Sequence, residues 1–260
     1  MRVLRFLPFV FLFSAPLFAQ QTATSAQPAP KDPYASAILQ QSLAAMGATV
    51  PSDSVATGSV VVAAGSTTEN GAIRVLTRGI DQTAEQIQAP SGTRGVVYSP
   101  GRANEIEGGS TKRLWLELTV SSQSLEFPLP LIAGALSNSD TGIQYLGQET
   151  LEGLAVYHIR IWSAFSSTPK LQYLADFSAK DLWINASSRL PYKVLYNRRA
   201  ARGSAPQISI AVFYSDCRHM GSVLYPFLIK VSFNGTPWET ISIQNVSFNT
   251  GLSDADFPIQ

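Results

Sequence analysis

Glu105 and Glu107, two residues apart, come nearest in this chain to a catalytic pair. On a strand they share a face, and carboxyls held roughly 5 to 10 Å apart are the arrangement that hydrolyses glycosidic bonds. A glycosidase cleft also needs aromatic platforms beside its acids, so two solvated strand residues are the simpler reading. Asp176 and Asp181 are divided by a turn and make no pair. A zinc site needs three or four clustered ligands, whereas the chain offers His158, His219 and the single cysteine Cys217. His158 alternates with Arg160 on the polar face of a strand and reads as a solvated surface histidine. His219, beside Arg218 and Gly221, reads as a loop residue. Cys217 has no histidine partner outside its own neighbourhood, so it is expected to be a partly buried small residue and not a nucleophile. Ser167-Thr168-Pro169-Lys170 has the spacing of a Ser-x-x-Lys nucleophile, but Pro169 blocks the helix that would bring Ser167 and Lys170 to one face. No Gly-x-Ser-x-Gly elbow, phosphate-binding glycine loop or His-Glu-x-x-His occurs. The chain reads as a non-enzyme with no cofactor, and a hydrolase is the weakest of the readings it allows.

The elements that must carry these residues begin after a leader. Arg2 and Arg5 precede an apolar run from Phe6 to Phe13 and the stretch Ser14 to Ala19, which together read as a secretory signal peptide over residues 1–19. The run is shorter than the roughly 20 apolar residues of a membrane span. No later stretch is long enough either, so no transmembrane segment is expected after cleavage, and the protein is expected in the periplasm or secreted. Residues 20–31 hold Gln, Thr, Ala, Ser and Pro and read as a flexible linker. Residues 32–260 are then one domain, a length of roughly 230 residues that suits a single large β unit. Charged residues make up 14% of the chain and its net charge is +1, which gives no basic surface for nucleic acid. An exported chain with a lone cysteine has no internal disulfide, so its stability must come from burial.

Asp32-Pro33 opens a helix to about Met46, with Ile38, Leu39, Leu43 and Met46 at helical spacing and Gly47 as its stop. From Ser54 the period changes to two: strands are expected at Val60–Val62, Ile73–Arg78, Ala84–Gln88 and Arg94–Tyr98, with a turn from Gly65 to Gly71. Gly108-Gly109 closes this section. Residues 112–138 break the alternation; a short helix is expected from about Pro130 to Leu136, and residues 112–122 fit helix or strand. Alternation returns in Tyr157, Ile159 and Ile161, in Tyr192, Val194 and Tyr196, and in Ile208 to Tyr214. The longest run is Tyr225 to Phe233, followed by an Asn234-Gly235 hairpin turn. Ile241 and Ile243 are out of phase with Val246 and Phe248, and a bulge at Gln244-Asn245 would restore them to one face.

About ten antiparallel strands approach the limit of an open sheet before it curls. Two helices, each about 10 Å across, are too small to cover the apolar faces of all of them. The sheet must close on a filled barrel, pair into a sandwich, or stay curved around an apolar cavity, and the pattern leaves these three open.

Three groups of residues carry a resemblance. Gly147-Gln148-Glu149, Gly153 and Tyr157-His158-Ile159 come first. Asp181-Leu182-Trp183-Ile184 with Leu190-Pro191-Tyr192-Lys193-Val194 follow. Val223-Leu224-Tyr225-Pro226 and Val246-Ser247-Phe248-Asn249, running on to Asp256-Phe257-Pro258, complete the series. In this order they resemble the periplasmic outer-membrane lipoprotein carrier and sorting family, the LolA/LolB-like half-barrel. The match covers the C-terminal half in motifs and the N-terminal half only in layout. The resemblance implies a mainly β, α+β fold: a curved antiparallel half-barrel of about ten strands with a lid of one N-terminal and one or two central helices. It also implies an apolar ligand, an acyl chain or lipoprotein-like lipid, in the concave sheet. The expected lining is Trp115, Leu118, Phe127 and Leu131 from the lid and Tyr157, Ile159, Tyr192, Val194, Ile210, Phe227 and Ile229 from the strands. The same fold also serves as an envelope sensor or interaction module without a small ligand. For that reading the basic cluster from Arg198 to Arg202 is the one candidate surface for an envelope protein partner.

Overall fold

The computed structural model describes residues 28–259 apart from 65, 122–124 and 199–206. The expected signal peptide, most of the expected linker and the basic cluster beyond Arg198 therefore lie outside the described residues. Four α-helices are present among those described: α1 (Pro33–Ala45), α2 (Leu116–Ser121), α3 (Leu129–Ser137) and α4 (Ala175–Ser178). The strands are β1 (Asp53–Ala64), β2 (Thr67–Arg78), β3 (Gln82–Ala89), β4 (Gly92–Ser99), β5 (Arg102–Glu107), β6 (Ser110–Arg113), β7 (Thr141–Leu151), β8 (Leu154–Ser163), β9 (Lys180–Asn185), β10 (Pro191–Arg198), β11 (Ile208–Met220), β12 (Val223–Phe233) and β13 (Thr236–Phe248). All thirteen lie in one sheet in the order β6-β5-β4-β3-β2-β1-β13-β12-β11-β10-β9-β8-β7. The fold is thus two antiparallel meanders, β1–β6 and β7–β13, joined where β1 pairs with β13. Edges β6 and β7 remain free of each other, so the sheet is curved and unclosed.

The expected strand number of about ten is corrected to thirteen. The strands beyond it lack a plain apolar period: β6 is exposed throughout, and β5 buries Ala103 and Asn104 side by side. The turn expected from Gly65 to Gly71 is shorter, because β2 starts at Thr67. His219 is not in a turn either; β11 runs on to Met220 and His219 faces Leu224 across the ladder. Of the ambiguous residues 112–122, Lys112 and Arg113 end β6, Leu116–Ser121 form α2, and 122 lies outside the described residues. The expected bulge is present: Thr57 pairs with Asn245 and Gly58 with Ile243, which leaves Gln244 as the extra residue. Ile241, Ile243 and Val246 are accordingly all buried. Asn234 and Gly235 both take positive φ, 49° and 80°, the backbone that a two-residue hairpin turn needs.

Each helix is held by identifiable groups. Asp32 caps α1 by accepting from the amides of Tyr34 and Ala35 at 2.8 and 3.0 Å, and Pro33 occupies its first turn. Lys31 Nζ donates to the carbonyls of Ala135 and Leu136 at the end of α3, at 2.9 and 2.8 Å. Ala29 and Pro30 also bond to the backbone of Ser139 and Ile143. Ala35, Ile38 and Leu39 of α1 and Leu129, Ile132 and Ala135 of α3 pack with the inward residues of both meanders into the main core. These helices occupy the end of the concave face where β12 begins, at Val223 and Tyr225.

The opposite face carries a smaller core. Leu76, Ala84 and Val97 bury Phe257 of the C-terminal tail. The buried carboxylate of Asp53 fastens that tail, accepting from Thr250 N and Oγ1 at 2.6 and 2.7 Å and from the amides of Gly251 and Leu252 at 2.9 and 3.3 Å.

Candidate functional site

The concave face is not filled along its whole length. Beyond Phe127, whose ring stacks on Tyr225 at 4.5 Å, a cavity of about 500 Å³ opens. This lies within the roughly 300–1,000 Å³ range of small-molecule sites. It sits where β12 ends, at Val231 and Phe233, the opposite end from α1. Strand alternation supplies its apolar wall: Ile87 of β3, Tyr196 of β10, Ile210 and Val212 of β11, Val231 and Phe233 of β12. A second bulge shapes it. Val231 pairs with Glu239 and Ser232 with Pro237, leaving Trp238 as the extra residue of β13. Trp238 then stacks on Phe233 with centroids 4.9 Å apart.

The curl of the sheet is visible at this end. β5 and β10 stand eight places apart in the sheet order, yet Arg198 Nη2 of β10 reaches Glu105 Oε1 of β5 at 3.3 Å. The short helix α2 lies against both strands and bridges them.

The cavity also holds charge. Glu85 of β3, Arg94 of β4, Glu126 from the segment before α3, and Glu239 of β13 all line it. Burial pushes the Glu85 carboxyl well above its usual range, and the neighbouring Glu126 and Glu239 charges and a hydrogen bond with Glu126 push the same way. Burial, then Glu126, raise Glu239 to about 7, against a lowering influence of Arg94. Burial and neighbouring charge thus make Glu85 and Glu239 hold their protons more tightly than free carboxyls do. Burial also holds Tyr196 and Tyr214 far from ionising, and Tyr214 OH donates to Leu125 O at 2.6 Å, fixing the rim segment.

The expected lining residues scatter. Ile210 lines the cavity. Phe127, Ile159, Val194, Phe227 and Ile229 are buried in the main core. Tyr157 is half-buried against Tyr34 and Tyr145 at one end of α1, with the Arg189 guanidinium 4.9 Å above its ring. Leu131 borders a cleft of about 220 Å³ between α3 and the turn at Ile80. Tyr192 lies on the outer face, in a groove of about 560 Å³ with Leu195, Ala211, Phe213 and Pro237. Trp115 is 64% exposed, and Leu118 is half-buried on α2. The missing members of the wall share the parity of residues already singled out: Val212 follows Ile210, and Val231 and Phe233 follow Ile229. The charged residues Glu85, Arg94, Glu126 and Glu239 gave no sequence signal, because each comes from a different element.

The residues first weighed for chemistry divide between the cavity edge and the outer strands. Glu105 is paired with Arg198, and Glu107 is exposed at the cavity edge. His158 is not solvated: its side chain is 21% exposed, its ring stacks on Trp183 at 4.3 Å, and its Nδ1 and Nε2 lie 3.3 and 3.5 Å from Glu149 and Asp181. Arg160 holds the same Asp181 through two nitrogens at 2.8 and 2.9 Å. This cluster on β7–β9 is a packed ion network. Cys217 is half-buried, and burial together with Asp216 pushes its thiol up, away from reactivity. Among the described residues no group of three or more His, Cys, Asp or Glu could hold a metal ion.

No family model and no curated protein matches the chain. Solved structures do. A proposed outer membrane lipoprotein-sorting protein domain from Vibrio parahaemolyticus superposes with a TM-score of 0.57 at 14% identity, over 86% of this chain and 96% of that one. A LolA superfamily protein from Nitrosomonas europaea gives 0.55 at 15%, over 86% and 97%. A DUF1329 family protein from Desulfovibrio piger gives 0.54 at 12%, again over 86% and 97%. At such identities the likeness is one of fold.

Proposed function

From the LolA-like fold and its unfilled concave end, we propose that this protein binds an apolar ligand, an acyl chain or lipoprotein-like lipid, in the cavity walled by Ile87, Ile210, Val212, Val231 and Phe233. One observation carries the reading: a cavity of about 500 Å³ remains at the Val231 end of the concave face, lined by these apolar side chains. Burying such a wall against a hydrocarbon gains about 25 cal/mol per Å² removed from water. The leader expected at residues 1–19 supports a periplasmic setting. Among the described residues no helix is long and apolar enough to cross a membrane.

Native mass spectrometry and lipid extraction of protein purified from the bacterial envelope provide the test. Co-purifying lipid, or saturable uptake of a fluorescent fatty-acyl probe by delipidated protein, is expected. A delipidated protein that takes up no such probe sinks the proposal.

A second reading rests on the outer groove of Tyr192, Leu195, Ala211 and Phe213, flanked by Lys193 and Lys230. An envelope protein docking there would make this an interaction module without a small ligand. Crosslinking at Lys193 and Lys230 in envelope extracts, blocked by Phe213→Asp, is its expected mark.

A further inference from the structure

Apolar side chains make only part of the cavity wall. Glu85, Arg94, Glu126 and Glu239 project from four separate elements onto the same space. Glu85 and Glu126 bond to each other. Arg94 does not complete the set: its Nε and Nη2 are buried and, among the described residues, meet no hydrogen-bond acceptor. Its nearest carboxylate is Glu69, at 4.0 Å. A guanidinium presents five donors in a fixed fork, and leaving buried donors unmatched costs stability. The Arg94 side chain as a whole is 31% exposed.

We propose that this group receives an uncharged, hydroxyl-bearing head group attached to the apolar ligand, with Arg94 donating to its oxygens and Glu126 and Glu239 accepting from its hydroxyls. The inference rests on the apolar-ligand reading above and adds the class of the ligand's polar end. The charge balance selects that class. An ammonium head can donate to the carboxyls but offers nothing to Arg94, and it brings a like charge beside the guanidinium. A carboxylate or sulfate head can accept from Arg94, but it adds an anion to three carboxyls that already repel one another. A hydroxyl both donates and accepts, so it satisfies both sides without adding charge. The other charged groups at this end do not shift the balance. Glu105 is held by Arg198, Glu107 is exposed at the edge, and burial keeps the Tyr196 phenol neutral.

Isothermal titration of the delipidated protein with octyl glucoside, octyltrimethylammonium and octanoate, each below its micelle concentration, tests this. The three probes share a chain and differ in head group. The glucoside is expected to bind about tenfold tighter than either charged probe, the equivalent of one good hydrogen bond to a charged group. Arg94→Met is expected to erase that ranking while retaining chain binding. Arg94→Lys, which keeps the charge without the fork, is expected to weaken the ranking and serves if the Met variant does not fold. Equal binding of all three probes, or a ranking unchanged in both variants, overturns the head-group assignment and leaves the apolar-ligand reading standing. Binding of none of the three overturns both.

Discussion

At the scale of single residues, buried carboxyls set how stability depends on pH, and they act in opposite directions. Burial alone would raise Asp53, but hydrogen bonds from the Thr250 hydroxyl and from the amides of Thr250, Gly251 and Leu252 outweigh it and hold the carboxyl below its usual 3.8. A depressed folded pKa gives stability that is present above the unfolded value and lost as the pH falls below it. Glu239 is the reverse case: raised from 4.5 to about 7, it binds a proton more tightly folded than unfolded. Its contribution is present below 4.5 and lost as the pH rises to about 7, on the order of 2 kcal/mol after discounting for partial exposure. Glu85 is shifted the same way. Denaturant unfolding across pH is therefore expected to show greatest stability near pH 4 to 5. Glu239→Gln should flatten the decline above that point, and Asp53→Asn should flatten the decline below it. A wild-type curve that climbs steadily from pH 5 to 7 contradicts this assignment.

At the scale of elements, the junction of β1 and β13 holds the two meanders together, and Gly58 is its tightest point. A Cβ there would lie 2.1 Å from the Ser242 carbonyl oxygen, backbone that cannot move without opening the bulge at Gln244. Gly58→Ala is expected to cost more than about 3 kcal/mol. Gly134 of α3 offers the contrast, since a Cβ there meets nothing nearer than Ile80 Cβ at 3.7 Å. Gly134→Ala should stabilise by up to about 1 kcal/mol, because alanine loses less backbone entropy in a helix. Parallel denaturation of the two variants checks the opposite signs; similar midpoints for both would show that the junction is looser than its geometry implies.

At the scale of the whole molecule, the two faces of one sheet hold two separate open spaces. The concave end holds the cavity, and the outer face of β10–β13 holds the groove at Phe213. Val231→Trp places an indole in the cavity and is expected to weaken acyl-probe uptake by about tenfold or more, at a stability cost of about 1 to 3 kcal/mol. Phe213→Ala should leave uptake unchanged. The opposite result, with uptake sensitive to Phe213 and indifferent to Val231, moves the apolar site to the outer face.

Local pattern alone determined much of this chain. Asp32-Pro33 and Gly47 bounded the first helix, Asn234-Gly235 marked a hairpin, and the phase slip between Ile243 and Val246 located a bulge, because each depends on contacts a few residues apart. Residues that merely alternate, such as Ile210 and Val212, could be assigned a common face. Whether that face was concave, filled by α3 or left open at Val231 was decided only by the curl of thirteen strands, which brings Glu105 to Arg198 and gathers Glu85, Arg94, Glu126 and Glu239 from distant segments. A period of two records which side chains share a side of the ribbon. It carries no record of how the ribbon bends, and the bend places the cavity.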